Sequence, residues 1–136
     1  MANTRTPVVP LSAPVSAPTP VPAPDRIPFQ SLDVYVAARE LAARCHSLSI
    51  ADAELCDQLR RASKSAFLNL AEGLPADSAG LRRRAFALSA GSLCEAAAAL
   101  DLAAATGLAE AAEAAALVAL AARVKRMLRV LSARAR

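Results

Sequence analysis

The sequence predicts an all-α protein folded as a helical bundle. Apolar residues recur at 4-3-4-3 spacing in separate stretches of the chain, and Gly or Pro separates the last three of them. Hydrophobic residues make up 55% of the chain but aromatic ones only 3%. The core must therefore be assembled mostly from Ala, Leu and Val, each of which buries little area. Single subunits of this composition gain from association. At 136 residues the length suits one domain.

Residues 1–28 hold eight of the nine prolines, in repeats such as Ser-Ala-Pro and Val-Pro. Proline lacks the amide donor and fixes φ, so this segment is expected to be a disordered, partly polyproline II tail. It reads either as a passive extension or as a ligand for a proline-reading domain. Residues 29–136 form the expected bundle, with helices over 31–48, 52–72, 77–106 and 109–132.

The first helix is expected to start at a Ser31 N-cap, with Asp33 in its first turn. Val34, Ala38, Leu41, Cys45 and Leu48 form its seam. His46, the one histidine, suits the helix C-terminus and cannot build a multi-histidine metal site. The second helix runs from an Asp52 cap to Glu72, with Gly73 as C′ residue and Pro75 blocking continuation. At about 100° per residue, Leu55, Leu59, Ala62, Ala66 and Leu70 form an apolar stripe. Gln58, Arg61, Ser65, Asn69 and Glu72 form a polar stripe beside it. Ser and Asn lower helix propensity, so they are unusual choices for a merely solvated face. The stripe reads as a hydrogen-bonded seam against another helix or another subunit, or as a plain surface.

In the third helix Phe86, Ala90, Leu93, Ala97, Leu100 and Ala104 repeat at 4-3-4-3-4. Gly91 costs about 1 kcal/mol mid-helix relative to Ala and, with Ser92, marks an expected tight crossing. An ion pair between Arg61 and Glu95, completed by Ser65, Asn69 and Ser92, is expected across that crossing. Asp57 offers Arg61 an ordinary i, i+4 alternative. The fourth helix turns Leu117, Leu120, Val124, Met127 or Leu128, and Leu131 inward.

Net charge is +4 and the isoelectric point about 9.5. Two basic clusters stand out: Arg82, Arg83 and Arg84, and then Arg123, Lys125, Arg126 and Arg129, continued by Arg134 and Arg136. Residues 123–136 contain no acid. The helix dipole accounts for some of these cations, and the excess suits an anionic surface such as RNA or DNA.

Cys45, Cys56 and Cys94 form no C-x-x-C pair and fall on or near apolar stripes, as expected of reduced, buried thiols in a cytoplasmic protein. Prolines break the N-terminus where a signal peptide would need its apolar region. The longest clean apolar run, residues 114–122, is too short to span a bilayer, so no membrane partner is expected. The sequence holds no Gly-rich phosphate loop, no G-x-S-x-G elbow and no supported triad. Neither an enzyme, a cofactor nor a metal is expected.

Three segments resemble one known family. Phe29-Gln30-Ser31-Leu32-Asp33-Val34-Tyr35 is similar to its opening. Gln58-Leu59-Arg60-Arg61-Ala62, Ser65 and Asn69-Leu70-Ala71-Glu72-Gly73 resemble its signature, and Gly91-Ser92-Leu93-Cys94-Glu95 its third-helix motif. The family is that of the 23S rRNA intervening-sequence proteins. Tyr35 stands where the family often has Trp, and Ala66 where a larger apolar residue is usual. The resemblance implies an antiparallel up-down-up-down four-helix bundle assembling as a homopentamer. It also implies a fold similar to the accessory variability proteins of diversity-generating retroelements, basic pentamers associated with nucleic acid and reverse transcriptase. Two functions follow as expectations: a nucleic-acid-binding oligomer, or a structural scaffold or adaptor whose cations only keep it soluble.

Overall fold

The computed structural model describes residues 27–135, and within them the chain is all-helical. The expected proline-rich tail, up to residue 26, and Arg136 lie outside the described residues. A 3-10 turn at Pro28–Ser31 leads into α1 (Asp33–Ser47), α2 (Ala53–Gly73), α3 (Ala79–Ala105) and α4 (Ala111–Arg134). Each helix packs on its sequence neighbours, most extensively α2 on α3, and α4 returns to α1. This closes a four-helix bundle.

The expected Ser31 cap is corrected. The residue before α1 is Leu32, which provides no side-chain cap. Ser31 ends the 3-10 turn instead, its hydroxyl donating to the Pro28 carbonyl at 3.0 Å. Pro28 pre-sets the φ of that turn and Gln30 accepts the Ile27 amide at 3.1 Å. Phe29 then meets Tyr35 edge-on at 5.7 Å, and Tyr35 meets Phe67 of α2 at 5.0 Å. Three of the four aromatic residues thus fasten the entry of α1 to α2.

The Asp52 cap forms as expected, accepting the Leu55 amide at 2.8 Å. Gly73 does not act as a left-handed C′ residue. It is the last residue of α2, and the cap, Leu74, is right-handed. What requires glycine at 73 is space: a Cβ there would lie 2.7 Å from the Phe86 ring and 2.9 Å from the Ala85 Cβ. The left-handed terminator is Gly107, with φ of 71°. There the Leu108 amide bonds the Ala103 carbonyl at 2.9 Å and the Gly107 amide bonds Ala104 at 3.1 Å. This double closure satisfies carbonyls that α3 would otherwise leave open.

The core follows the expected seams. Leu41, Leu59, Leu70, Leu93, Leu100, Leu117 and Leu128 are fully buried at its centre, with Ala filling the gaps. In α3 the inward face also takes Ser89, Ala96, Ala99 and Ala103, while Ala90, Ala97 and Ala104 are only half-buried. α3 is apolar on its outer side too. By length and composition it could cross a membrane, yet only 33% of its most apolar window is buried in the fold. Glu95 and Asp101, which interrupt this Ala-rich region in the sequence, are too few to bring its most apolar window below what a span requires.

Two hydroxyls sit where side chains are otherwise apolar. Ser89 is fully buried and donates to the Ala66 carbonyl of α2 at 2.7 Å. Ser63, also buried, donates to Arg60 one turn back at 3.2 Å. Both are therefore satisfied. Arg44 joins α1 to the start of α4, donating to Glu113 at 3.1 Å and to Glu40 at 3.4 Å.

Candidate nucleic-acid interface

Arg82, Arg83 and Arg84 are adjacent in sequence, but successive helical residues point about 100° apart. The three side chains consequently leave α3 in three directions. Arg82 turns back to the loop after α2, donating to the Ala76 carbonyl at 2.7 Å. Its Nε is buried without a partner, so this arginine is committed to the loop. Arg84 lies in the crease between α2 and α3, beside Asn69 and Glu72. Only Arg83 faces α4, where its guanidinium donates to the Ala135 carbonyl at 3.4 Å.

On α4 the residues 122, 125, 126, 129, 132 and 133 follow helical i, i+3, i+4 spacing and form one stripe. Packed beside α3, this stripe bounds a groove of about 800 Å³. Phe86, Ala87, Ala90, Ala122 and Leu128 contribute apolar surface; Arg83, Lys125, Arg126 and Arg129 contribute four cations. No acidic residue lines it. Arg123 is exposed but lies off the groove. Four of the nine cations in the two clusters thus converge; Arg82, Arg84, Arg123 and Arg134 do not, and Arg136 lies outside the described residues.

Lys125 also reaches the Cys94 sulfur across the two helices at 3.3 Å. Cys94 is exposed, which corrects the expectation that all three thiols are buried; Cys45 and Cys56 are. Burial pushes the Cys45 thiol up to about 11, partly opposed by the nearby Ser63 hydroxyl and by the charge of Arg44. His46 is exposed at the end of α1 with its Nδ1 2.9 Å from the Ala42 carbonyl. Among the described residues no group of acidic, His and Cys side chains is arranged to hold a metal.

The polar stripe of α2 divides. Ser65 and Ser92 hydroxyls meet at 2.9 Å, and the Asn69 amide donates to the Ser65 carbonyl at 2.9 Å and hydroxyl at 3.1 Å. That part is a seam between α2 and α3 of one chain. Gln58, Arg61, Glu72 and Glu95 are exposed. The expected Arg61–Glu95 ion pair does not form, nor does its Asp57–Arg61 alternative: among the described residues both ion pairs belong to Arg44. Ser89, which the sequence reading missed, makes the buried bond between these helices. Its signal was present, since it lies three residues after Phe86 and four before Leu93, on their face.

The model of the 23S rRNA-intervening sequence protein family matches residues 30–130. The chain belongs to that family. The match runs from the 3-10 turn through most of α4, so it covers nearly all of the bundle and the four cations of the basic groove. No curated relative matches the chain. Within this 23S rRNA-intervening sequence protein, the seam Ser65–Asn69–Ser92 and the close contact of Gly73 with Phe86 use residues of the segments that carry the resemblance.

Proposed function

We propose that this chain is a non-catalytic, self-assembling four-helix bundle that binds RNA or DNA through the groove between α3 and α4. The observation that carries the reading is the convergence of Arg83, Lys125, Arg126 and Arg129 along one acid-free groove. Such a surface attracts phosphates, with little base readout where aromatic side chains are scarce. An up-down-up-down course supports it. Ser65 faces Ser92 while Gly73 faces Phe86, Arg44 near the end of α1 meets Glu113 near the start of α4, and Arg83 near the start of α3 meets Ala135 after α4. That course places the second half of α4 beside the first half of α3, which is what joins the two basic segments. Assembly into a ring of five, as the family resemblance implies, would repeat the groove around one particle.

The test is fluorescence anisotropy of labelled structured RNA and duplex DNA, titrated from low to moderate salt. Binding should weaken with a log-log slope of about −0.9 per phosphate neutralised on duplex DNA. Changing Arg83, Lys125, Arg126 and Arg129 together to Gln should abolish most of the affinity and flatten that slope. No binding at low salt would sink the nucleic-acid reading and leave a scaffold or adaptor.

A further inference from the structure

α3 carries a second seam on the side turned away from the core. Leu81, Leu88, Glu95 and Leu102 stand seven residues apart, and Arg84, Gly91, Ala98 and Ala105 fill the alternate positions, giving 3-4-3-4 spacing over the full helix. All eight are exposed, the three leucines at 61%, 52% and 53%. This is the pattern of a helix that packs knobs into a facing helix. Among the described residues α2 borders only its edges, with Asn69 and Glu72 beside Leu81, Arg84 and Leu88, and Leu55 and Gln58 beside Leu102.

Gly91 sits in the middle of this seam, and a Cβ built there meets nothing within 4 Å. The expected tight crossing is therefore absent from the subunit itself, although glycine weakens a helix interior wherever it has no packing role. The seam and the α2 edge beside it carry charges of both signs, Arg84 and Arg61 with Glu95, Glu72, Asp52 and Glu54, and among the described residues none of these is in an ion pair. A nucleic acid would be repelled by the four carboxylates. A lipid surface would have to bury charges of both signs. A second copy of this chain brings both signs and the same leucines.

We infer that the outer seam of α3 is the surface that a second copy of this chain covers, with Gly91 at the point of closest helix approach. The inference rests on the self-assembly proposed above and adds the face and the residues that make it. The groove between α3 and α4 lies on another side of α3, so assembly leaves its cations open to an anionic ligand.

Sedimentation velocity of the full chain over a wide concentration range tests this, with Leu88→Glu and Gly91→Gln as variants and Val130→Glu, an exposed apolar position on α4, as control. The wild-type and control proteins should sediment as the same multiple of 14.0 kDa. Each seam variant should dissociate at about tenfold or more higher concentration, as expected for a residue central to an interface. Helicity by circular dichroism should persist in both, and Gly91→Gln should if anything firm the isolated helix, so loss of assembly cannot be ascribed to unfolding. Variants that assemble like the wild type would overturn the interface and leave self-assembly standing elsewhere on the surface. A wild-type protein at 14.0 kDa throughout would overturn both. Flotation with neutral lipid vesicles, lost in Leu88→Glu, would assign the seam to a membrane instead and overturn the proposal.

Discussion

The hydroxyl of Ser89, fully buried on α3, donates to the backbone carbonyl of Ala66 on α2 at 2.7 Å. A side chain of one helix thereby bonds the main chain of its neighbour, and the helices can lie this close because residue 66 is alanine. Ser89→Ala should lower stability by about 1 kcal/mol, the net worth of one such bond. Ser89→Leu should cost more, about 1–3 kcal/mol, because it overfills the same contact. Urea denaturation midpoints compare the two; a stabilising Ser89→Leu would show that the contact is not tightly packed.

Gly73 makes a second, opposed prediction. Alanine should strengthen a helix interior by about 1 kcal/mol, yet its Cβ would stand 2.7 Å from a Phe86 ring that is itself only 2% exposed. Since the ring has nowhere to move, the overpacking cost of about 1–3 kcal/mol should win. Adding Phe86→Leu to Gly73→Ala should then cost less than the two single changes summed, a coupling that a double-mutant cycle measures by thermal or urea melts.

The Cys45 thiol links stability to alkaline pH. Its folded value, pushed up to about 11 by burial, lies above the ordinary thiol range, so the unfolded chain gives up this proton first. The contribution is fully present below the unfolded pKa and is lost as pH rises towards the folded one. Stability should therefore decline between about pH 8.5 and 11, and Cys45→Ala should remove that part of the slope while costing packing at every pH. Urea melts across this window read both effects.

The three thiols should react unequally. Cys94 is exposed beside Lys125, whereas Cys45 and Cys56 are buried. A thiol reagent in excess should modify one group per chain in the native state and all three in denaturant. Fast native reaction of Cys45 would mean that the α1–α2 packing opens readily.

Among the arginines the structure ranks neighbours that the sequence cannot. Arg83→Gln should weaken nucleic-acid binding and lower the salt slope by about one contact's worth. Arg84→Gln, in the crease with Glu72, should leave binding nearly unchanged. Anisotropy titrations that showed equal losses would point to diffuse attraction by net charge instead of the groove.

Some of this protein could be read directly from its sequence. The 4-3 spacing identified four helices and their inward faces, because burial demands apolar residues every turn and leaves a periodic trace. The Asp52 cap and Pro75 punctuate α2 through local chemistry that needs no distant partner. The family, too, was legible from short segments that the match over residues 30–130 bears out.

Other features depend on which helix lies beside which, and spacing along one helix contains no such information. Gly73 answers to Phe86, thirteen positions on, and the left-handed glycine terminator is found instead after α3, at Gly107. Arg61 and Glu95 remained apart although Ser65 and Ser92, one turn nearer, met. Three consecutive arginines were divided among a loop, a crease and a groove, and Arg83 joined cations more than forty residues away. Local periodicity determined what forms a helix and which side is wet; only the packing of α3 between α2 and α4 decided where charge gathers and which apolar face remains uncovered.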